Sequence, residues 1–134
     1  MFEADEARWP LVVVRSTESG SPSDNADAYV ALWERWLAKG GRFGVLVAAG
    51  EARGEALPPE VAERMRAWQE AARDRIRGSC VGIAYVMPSP SVLAADRPIV
   101  RRRSEMSLGC PGDAFGSENE AASWLGERLS AQEA

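Results

Sequence analysis

Hydrophobic and polar positions along the chain fall into blocks of alternating period, and the clearest block is SCVGIAYVMPSP, from Ser79 to Pro90. Val81, Ile83, Ala84, Tyr85 and Val86 form a nearly continuous apolar run closed by Pro88 and Pro90. Such a run predicts a central strand with both faces covered. WPLVVVR, from Trp9 to Arg15, is a β-branched run ended by the polar stretch STESGSPSDN and predicts another strand. Phe2 to Arg8 can pair with it as a short edge strand. FGVLVAA, from Phe43 to Ala49, is apolar throughout and predicts a third, interior strand.

Between these strands the period lengthens to that of a helix. Ser23 or Asp24 can cap a helix that runs to about Lys39, where Gly40 and Gly41 supply the stop. Ala26, Tyr29, Val30, Leu32, Trp33, Trp36 and Leu37 cover a wide arc of it, wider than one core-facing stripe requires. Pro58 and Pro59 open a second helix, ended near Arg77 and Gly78, with Val61, Met65, Trp68, Ala72 and Ile76 on one stripe. Its other faces carry the pairs Glu60 with Arg64, Glu63 with Arg66 and Glu70 with Arg73, which read as a solvated surface. After the central strand, Ser91 to Val100 predicts a short helix interrupted or ended by Pro98. SEMSLGCPGD, Ser104 to Asp113, reads as a loop, and Ala114 and Phe115 with the residues just before them as a short last strand. Ser117 to Glu120 fits the S-x-x-E capping box, and Ala121, Trp124, Leu125 and Leu129 give the final helix its stripe.

Strands alternating with helices predict an α/β fold with a largely parallel sheet and right-handed crossovers. The length suits one domain over residues 1–134, with four or five strands and helices mainly on one face. A three-layer, flavodoxin-like sandwich is the competing arrangement, and four helices are few for it.

Composition narrows the chemistry. Sixteen Lys and Arg against 20 Asp and Glu give a net charge of -4, the wrong balance for a general phosphate-backbone binder, so no nucleic-acid partner is expected. The chain has no histidine, which removes the usual proton shuttle and the commonest transition-metal ligand. No cofactor and no metal site are expected, and the glycines match neither a dinucleotide fingerprint nor a phosphate loop. The apolar runs are too short for a membrane span, and MFEADEARWP is acidic where a secretory leader is basic, so the expected compartment is the cytoplasm. Cys80 and Cys110 have no metal or redox spacing and are expected to be reduced thiols. Cys80 reads as inert packing in a strand, while Cys110, in a Gly-Cys-Pro-Gly loop, is the candidate reactive thiol. Arg101, Arg102 and Arg103 suggest a patch for phosphate or an acidic partner, although cations are also favoured at a helix C-terminus. Glu118 and Glu120 form no acid and base pair beyond what capping explains.

The central segment GIAYVMPSPSVLAADRPI, in which a strand gives way to a proline and a short helix, and the ending AFGSENEAASWL resemble the STAS superfamily. That superfamily holds anti-sigma-factor antagonists and the tails of sulfate transporters, and the likeness is closer to its bacterial STAS-like branch. WPLVVVR and WERWLAKGGRFGVLV match the family's first crossover by pattern. The resemblance implies a regulatory module that binds a protein partner. It also implies a phosphoacceptor Ser or Thr where the loop GEARGEAL, Gly50 to Leu57, stands, and that loop has no hydroxyl. Phospho-switching is therefore not expected.

Two functions follow as expectations. The first is a non-catalytic interaction module, binding a protein partner or forming a homodimer through Tyr29, Trp33 and Trp36 of the first helix. The alternative is a carrier or sensor of a small apolar ligand, held in a pocket between sheet and helices. In either case the protein works by binding and not by turnover.

Overall fold

The computed structural model describes residues 2–16, 22–48, 58–87 and 89–133. In chain order the elements are β1 (Phe2–Asp5), β2 (Leu11–Ser16), α1 (Pro22–Ala38), β3 (Phe43–Ala48), α2 (Pro59–Ser79), β4 (Cys80–Val86), α3 (Pro90–Arg103), β5 (Gly112–Phe115) and α4 (Glu118–Glu133). A π-helical turn, Ser104–Leu108, prolongs α3. The five strands form one sheet in the order β1-β2-β3-β4-β5, with β1 antiparallel to β2 and the other neighbours parallel. The fold is α/β. The SCVGIAYV run is interior, as its unbroken apolar character predicts, although β3 takes the middle place.

Register explains which side each residue serves. Val12, Val45, Ile83 and Gly112 lie side by side in one row across the sheet, and Val13, Leu46, Ala84 and Asp113 form the next row on the opposite face. The first row belongs to a core with Trp33 and Trp36 of α1 and Ala72 and Ile76 of α2. The second row packs under Ala121 and Leu125 of α4. α1 and α2 thus cover one face, and α4 covers the other with α3 beside it over β5, where the sequence placed the helices mainly on one side. α4 can lie close because β3 and β4 present glycines to it. A Cβ on Gly82 would sit 2.9 Å from the Trp124 ring, and one on Gly44 would sit 3.0 Å from Leu125. Arg128 then clamps α4 to the sheet, its Nε donating to the Val81 carbonyl at 2.7 Å while its guanidinium lies over Trp124.

Helix ends follow local chemistry. α1 stops at Gly40 and Gly41, whose φ of 63° and 134° suits glycine far better than any L side chain. Ser117 Oγ accepts the Glu120 N–H at 3.2 Å and caps α4. The side chains of Ser23 and Asp24 and the whole GEARGEAL loop lie outside the described residues.

One prediction needs correction. α3 does not end at Pro98 but runs through it to Arg103, and the first part of the expected loop 104–113 is the π-helical turn. Pro98 and Ala94, whose carbonyl loses the bond that a proline cannot donate, are both exposed, so the loss falls on the solvent side of the helix. The other end is firm. Ser89 Oγ accepts the Val92 N–H at 3.3 Å and Pro90 opens the first turn.

Candidate functional site at the β5 edge

The first-helix aromatics are core residues. Trp33 and Trp36 are each 1% exposed, and their ring centroids lie 5.2 Å apart and 5.8 and 6.1 Å from Phe43. Tyr29 is half-buried, edge-on to Trp33 and Trp68. Burial, with Tyr85 nearby as the next cause, pushes its hydroxyl pKa well above the ordinary range. The correction has a simple cause: α1 packs on the sheet and on α2 at once, so both halves of its wide apolar arc are covered. These rings interlock in the space where the sequence reading placed an apolar pocket. On the rim of the same packing, Glu34 accepts Trp68 Nε1 at 2.8 Å and Arg75 at 2.7 and 2.9 Å. Arg75 first and Trp68 second hold its carboxyl at a pKa of about 2.

Cys110 is also corrected. It is 1% exposed, as buried in effect as Cys80, and both are free thiols. The π-helical turn packs on α2, where Arg73 Nη2 donates to the Glu105 carbonyl at 3.3 Å and Arg73 lies against Gly109. This folds the Gly-Cys-Pro-Gly segment inward, and the Ile83 N–H fixes it through Pro111 O at 2.9 Å. Burial raises the Cys80 thiol, and the neighbouring Cys110 thiol raises it further. Neither sulfur is placed to act as a nucleophile.

The chemistry that reaches the surface gathers instead at the β5 edge. The row Val13, Leu46, Ala84 runs out at Asp113, so an apolar row ends in a carboxylate on the last strand. Its side chain is 12% exposed. Arg97 and Arg101, four residues apart on one flank of α3, both close on it. Asp113 Oδ1 accepts Arg97 Nε at 3.0 Å, Arg101 Nε at 3.0 Å and the Ala114 N–H at 2.8 Å, while Oδ2 accepts Arg101 Nη2 at 3.0 Å. Burial works to raise the Asp113 carboxyl, but the bonds from Arg101, Arg97 and Ala114 together outweigh it and leave the group below its ordinary value. A carboxylate so fully bonded is a structural anchor and not a proton acceptor. The approach of α3 is close: Ser104 is buried, and a Cβ on Gly112 would overlap its Oγ.

A cleft of about 710 Å³ opens beside this anchor, lined by Arg97, Pro98, Arg101, Arg102, Asp113 and Trp124, with Ala94, Glu105 and Gly112 completing it. The arginine run therefore divides. Arg101 holds Asp113, Arg102 lines the cleft, and Arg103 lies exposed on the outer flank. On that flank stand Ile99, 53% exposed, and Met106, 64% exposed. Sequence reasoning missed Arg97, Asp113, Ile99 and Met106. The signal was present in part: an arginine pair at helical spacing and a lone aspartate in an otherwise small, apolar strand. The carboxylates Glu118 and Glu120 are exposed, and Glu118 pairs with Arg15 at 2.7 Å.

Among the described residues, no cluster of three or more His, Cys, Asp or Glu could hold a metal ion, and no helix is long and apolar enough to cross a membrane. Compared with known proteins, the chain matches no family model, no curated protein and no solved structure.

Proposed function

We propose that this protein is a non-catalytic, STAS-like regulatory module, working in the cytoplasm, that binds a protein partner along the outer flank of α3 and its π-helical turn. One observation carries the reading. The exposed large apolar side chains among the described residues, Ile99 and Met106, both lie on this helical segment, on either side of Arg103. A flank of that kind offers two apolar anchors with arginine between them, a composition in which interface energy concentrates.

The charge around it selects the partner. Arg103 stands on this flank and Arg102 borders it, both exposed and outside the bonds to Asp113, on a chain whose net charge is -4. An acidic partner surface is attracted to this flank, whereas a two-fold self-association through it would set arginines against arginines. The absence of a hydroxyl in GEARGEAL supports binding without phospho-switching. The carrier of a small apolar ligand fits less well, because Trp33, Trp36 and Phe43 fill the space it would use.

Replacing Ile99 and Met106 together with glutamate tests the proposal. Both side chains are exposed, so the fold should persist while the immobilised protein loses its partner from extracts of the native cell. Undiminished capture by the double variant would move the contact surface elsewhere.

A further inference from the structure

The geometry points to a second binding site, on the other flank of α3: the cleft over Asp113 takes a single carboxylate carried on an aromatic or other apolar group, bound by the guanidinium groups of Arg101 and Arg102 with Trp124 as its apolar wall. The site goes beyond the protein-contact reading and does not depend on it, since Ile99 and Met106 do not line the cleft.

Access is the first support. The cleft of about 710 Å³ is shallow and open to solvent, so a small ligand reaches its arginines directly. Charge is the second. Arg97, Arg101 and Arg102 line the cleft against Asp113 and Glu105, which leaves one positive charge over. A monoanion balances that excess. A phosphate carrying two charges would overshoot it and meet Asp113 and Glu105 as well. A cation finds no site, because Asp113 is already saturated by its arginines and the Ala114 N–H.

Pre-organisation is the third support. Asp113 engages Arg97 through Nε alone and Arg101 through Nε and Nη2, so each guanidinium is held in place while further N–H donors remain on it. A fixed planar fork loses little freedom when a carboxylate arrives, and its geometry matches two carboxylate oxygens. Arg102, exposed and outside these bonds, supplies a second charged donor. The walls complete the class. Pro98, Ala94 and the Trp124 ring give apolar surface, and Trp124 is held firm by Phe115 at 5.5 Å and by Arg128 at 5.2 Å. An aryl group can lie against that ring while its carboxylate meets the arginines. The same chemistry has two sources: a free small carboxylate, or an acidic residue beside an aromatic one in a peptide.

The test is an NMR titration of the whole chain with benzoate, with a short peptide carrying one glutamate next to a phenylalanine, and with inorganic phosphate. Benzoate should shift the Gly112 and Asp113 amides and the arginine Nε signals of Arg97 and Arg101, saturating with a Kd of about 1 mM, the range open to so small a ligand. Arg102→Gln should weaken it at least about tenfold, the loss of one charge-assisted contact, while Arg77→Gln, on the exposed end of α2, should leave it unchanged. Saturation by the peptide and not by benzoate also supports the site and assigns its source to a protein segment. Saturation by phosphate alone, shifts spread over all arginines without saturation, or a Kd unmoved by Arg102→Gln each overturns it. Loss of partner capture in the Ile99 and Met106 double variant leaves this titration unaffected, so the two readings fail separately.

Discussion

α1 and α3 are both crossover helices of the same parallel sheet, and they dispose of their large side chains in opposite ways. Trp33 and Trp36 of α1 are each 1% exposed, whereas Ile99 of α3 is 53% exposed. α1 sits over interior strands and shares its face with α2, so it has two neighbours to bury against. α3 serves the edge strand β5 and is held there largely by polar contacts, the Arg97 and Arg101 bonds to Asp113. A helix over the middle of a sheet absorbs its apolar residues into the core. A helix at the edge keeps an exposed flank, and here that flank carries Ile99.

That contrast can be broken most severely from the α1 side. Trp33→Glu removes a large core ring, worth about 3 to 5 kcal/mol, and adds a buried unpaired charge, so urea denaturation should show the chain largely unfolded in water. A folded variant with nearly native stability would return α1 to the surface. On the α3 side the attachment is electrostatic and the expected loss is smaller. Asp113→Asn should lower stability by about 1.5 to 3 kcal/mol, the range for hydrogen bonds to charged groups. Its effect should concentrate in amide exchange of α3 and β5. Uniform destabilisation of all elements would mean that Asp113 does not anchor α3 specifically.

The acid limb sharpens the contrast further. Glu34, at the α1–α2 rim, has its carboxyl lowered from the ordinary 4.5 to about 2, chiefly by the Arg75 bond and then by Trp68. A depressed carboxyl contributes stability that is present above about pH 4.5 and is lost as pH falls towards 2. Asp113 acts with the same sign. Glu34→Gln should therefore flatten the fall in stability across that window. The change will be modest, because the Glu34 side chain is 41% exposed and its ion pair is screened. An acid limb as steep as in the parent would assign the acid loss to other groups. Smallest of all, Ile99→Glu and Met106→Glu should each alter stability by less than about 0.5 kcal/mol, as expected of surface positions. A loss above about 1 kcal/mol in either would show a hidden packing role and remove the basis for a free flank.

The sequence made the strands legible because β-branched runs such as LVVV and the unbroken GIAYV admit few other readings. The α2 stripe and the Ser117 cap were legible for the same reason: each is a local pattern whose physical cause lies within a few residues. The arc on α1 was seen but misassigned. A wide apolar arc looks the same in sequence whether its second half meets α2 or a partner, and only the packing of two helices side by side decides. Cys110 was misplaced by the usual meaning of Gly-Cys-Pro-Gly, since nothing local says that a turn formed from Ser104 onward will fold that segment under α2. Pro98 suggested a helix end because the rule for proline counts the lost bond without asking whether water replaces it. The β5 anchor was the hardest to read. Asp113 meets Arg97 and Arg101 only after α3 returns along the edge strand, and at the sequence level the three arginines at 101 to 103 looked equivalent although one is structural and two are not.

The central proposal is that the partner meets the outer flank of α3. Site-specific photo-cross-linking tests it most directly, with a benzophenone side chain placed at Ile99 and, as a control, at Ala71 on the exposed arc of α2. In extracts of the native cell the label at Ile99 should give a discrete adduct that disappears when Arg103 is replaced by glutamate, while the label at Ala71 gives none. A discrete adduct from Ala71 with none from Ile99 would contradict the claim.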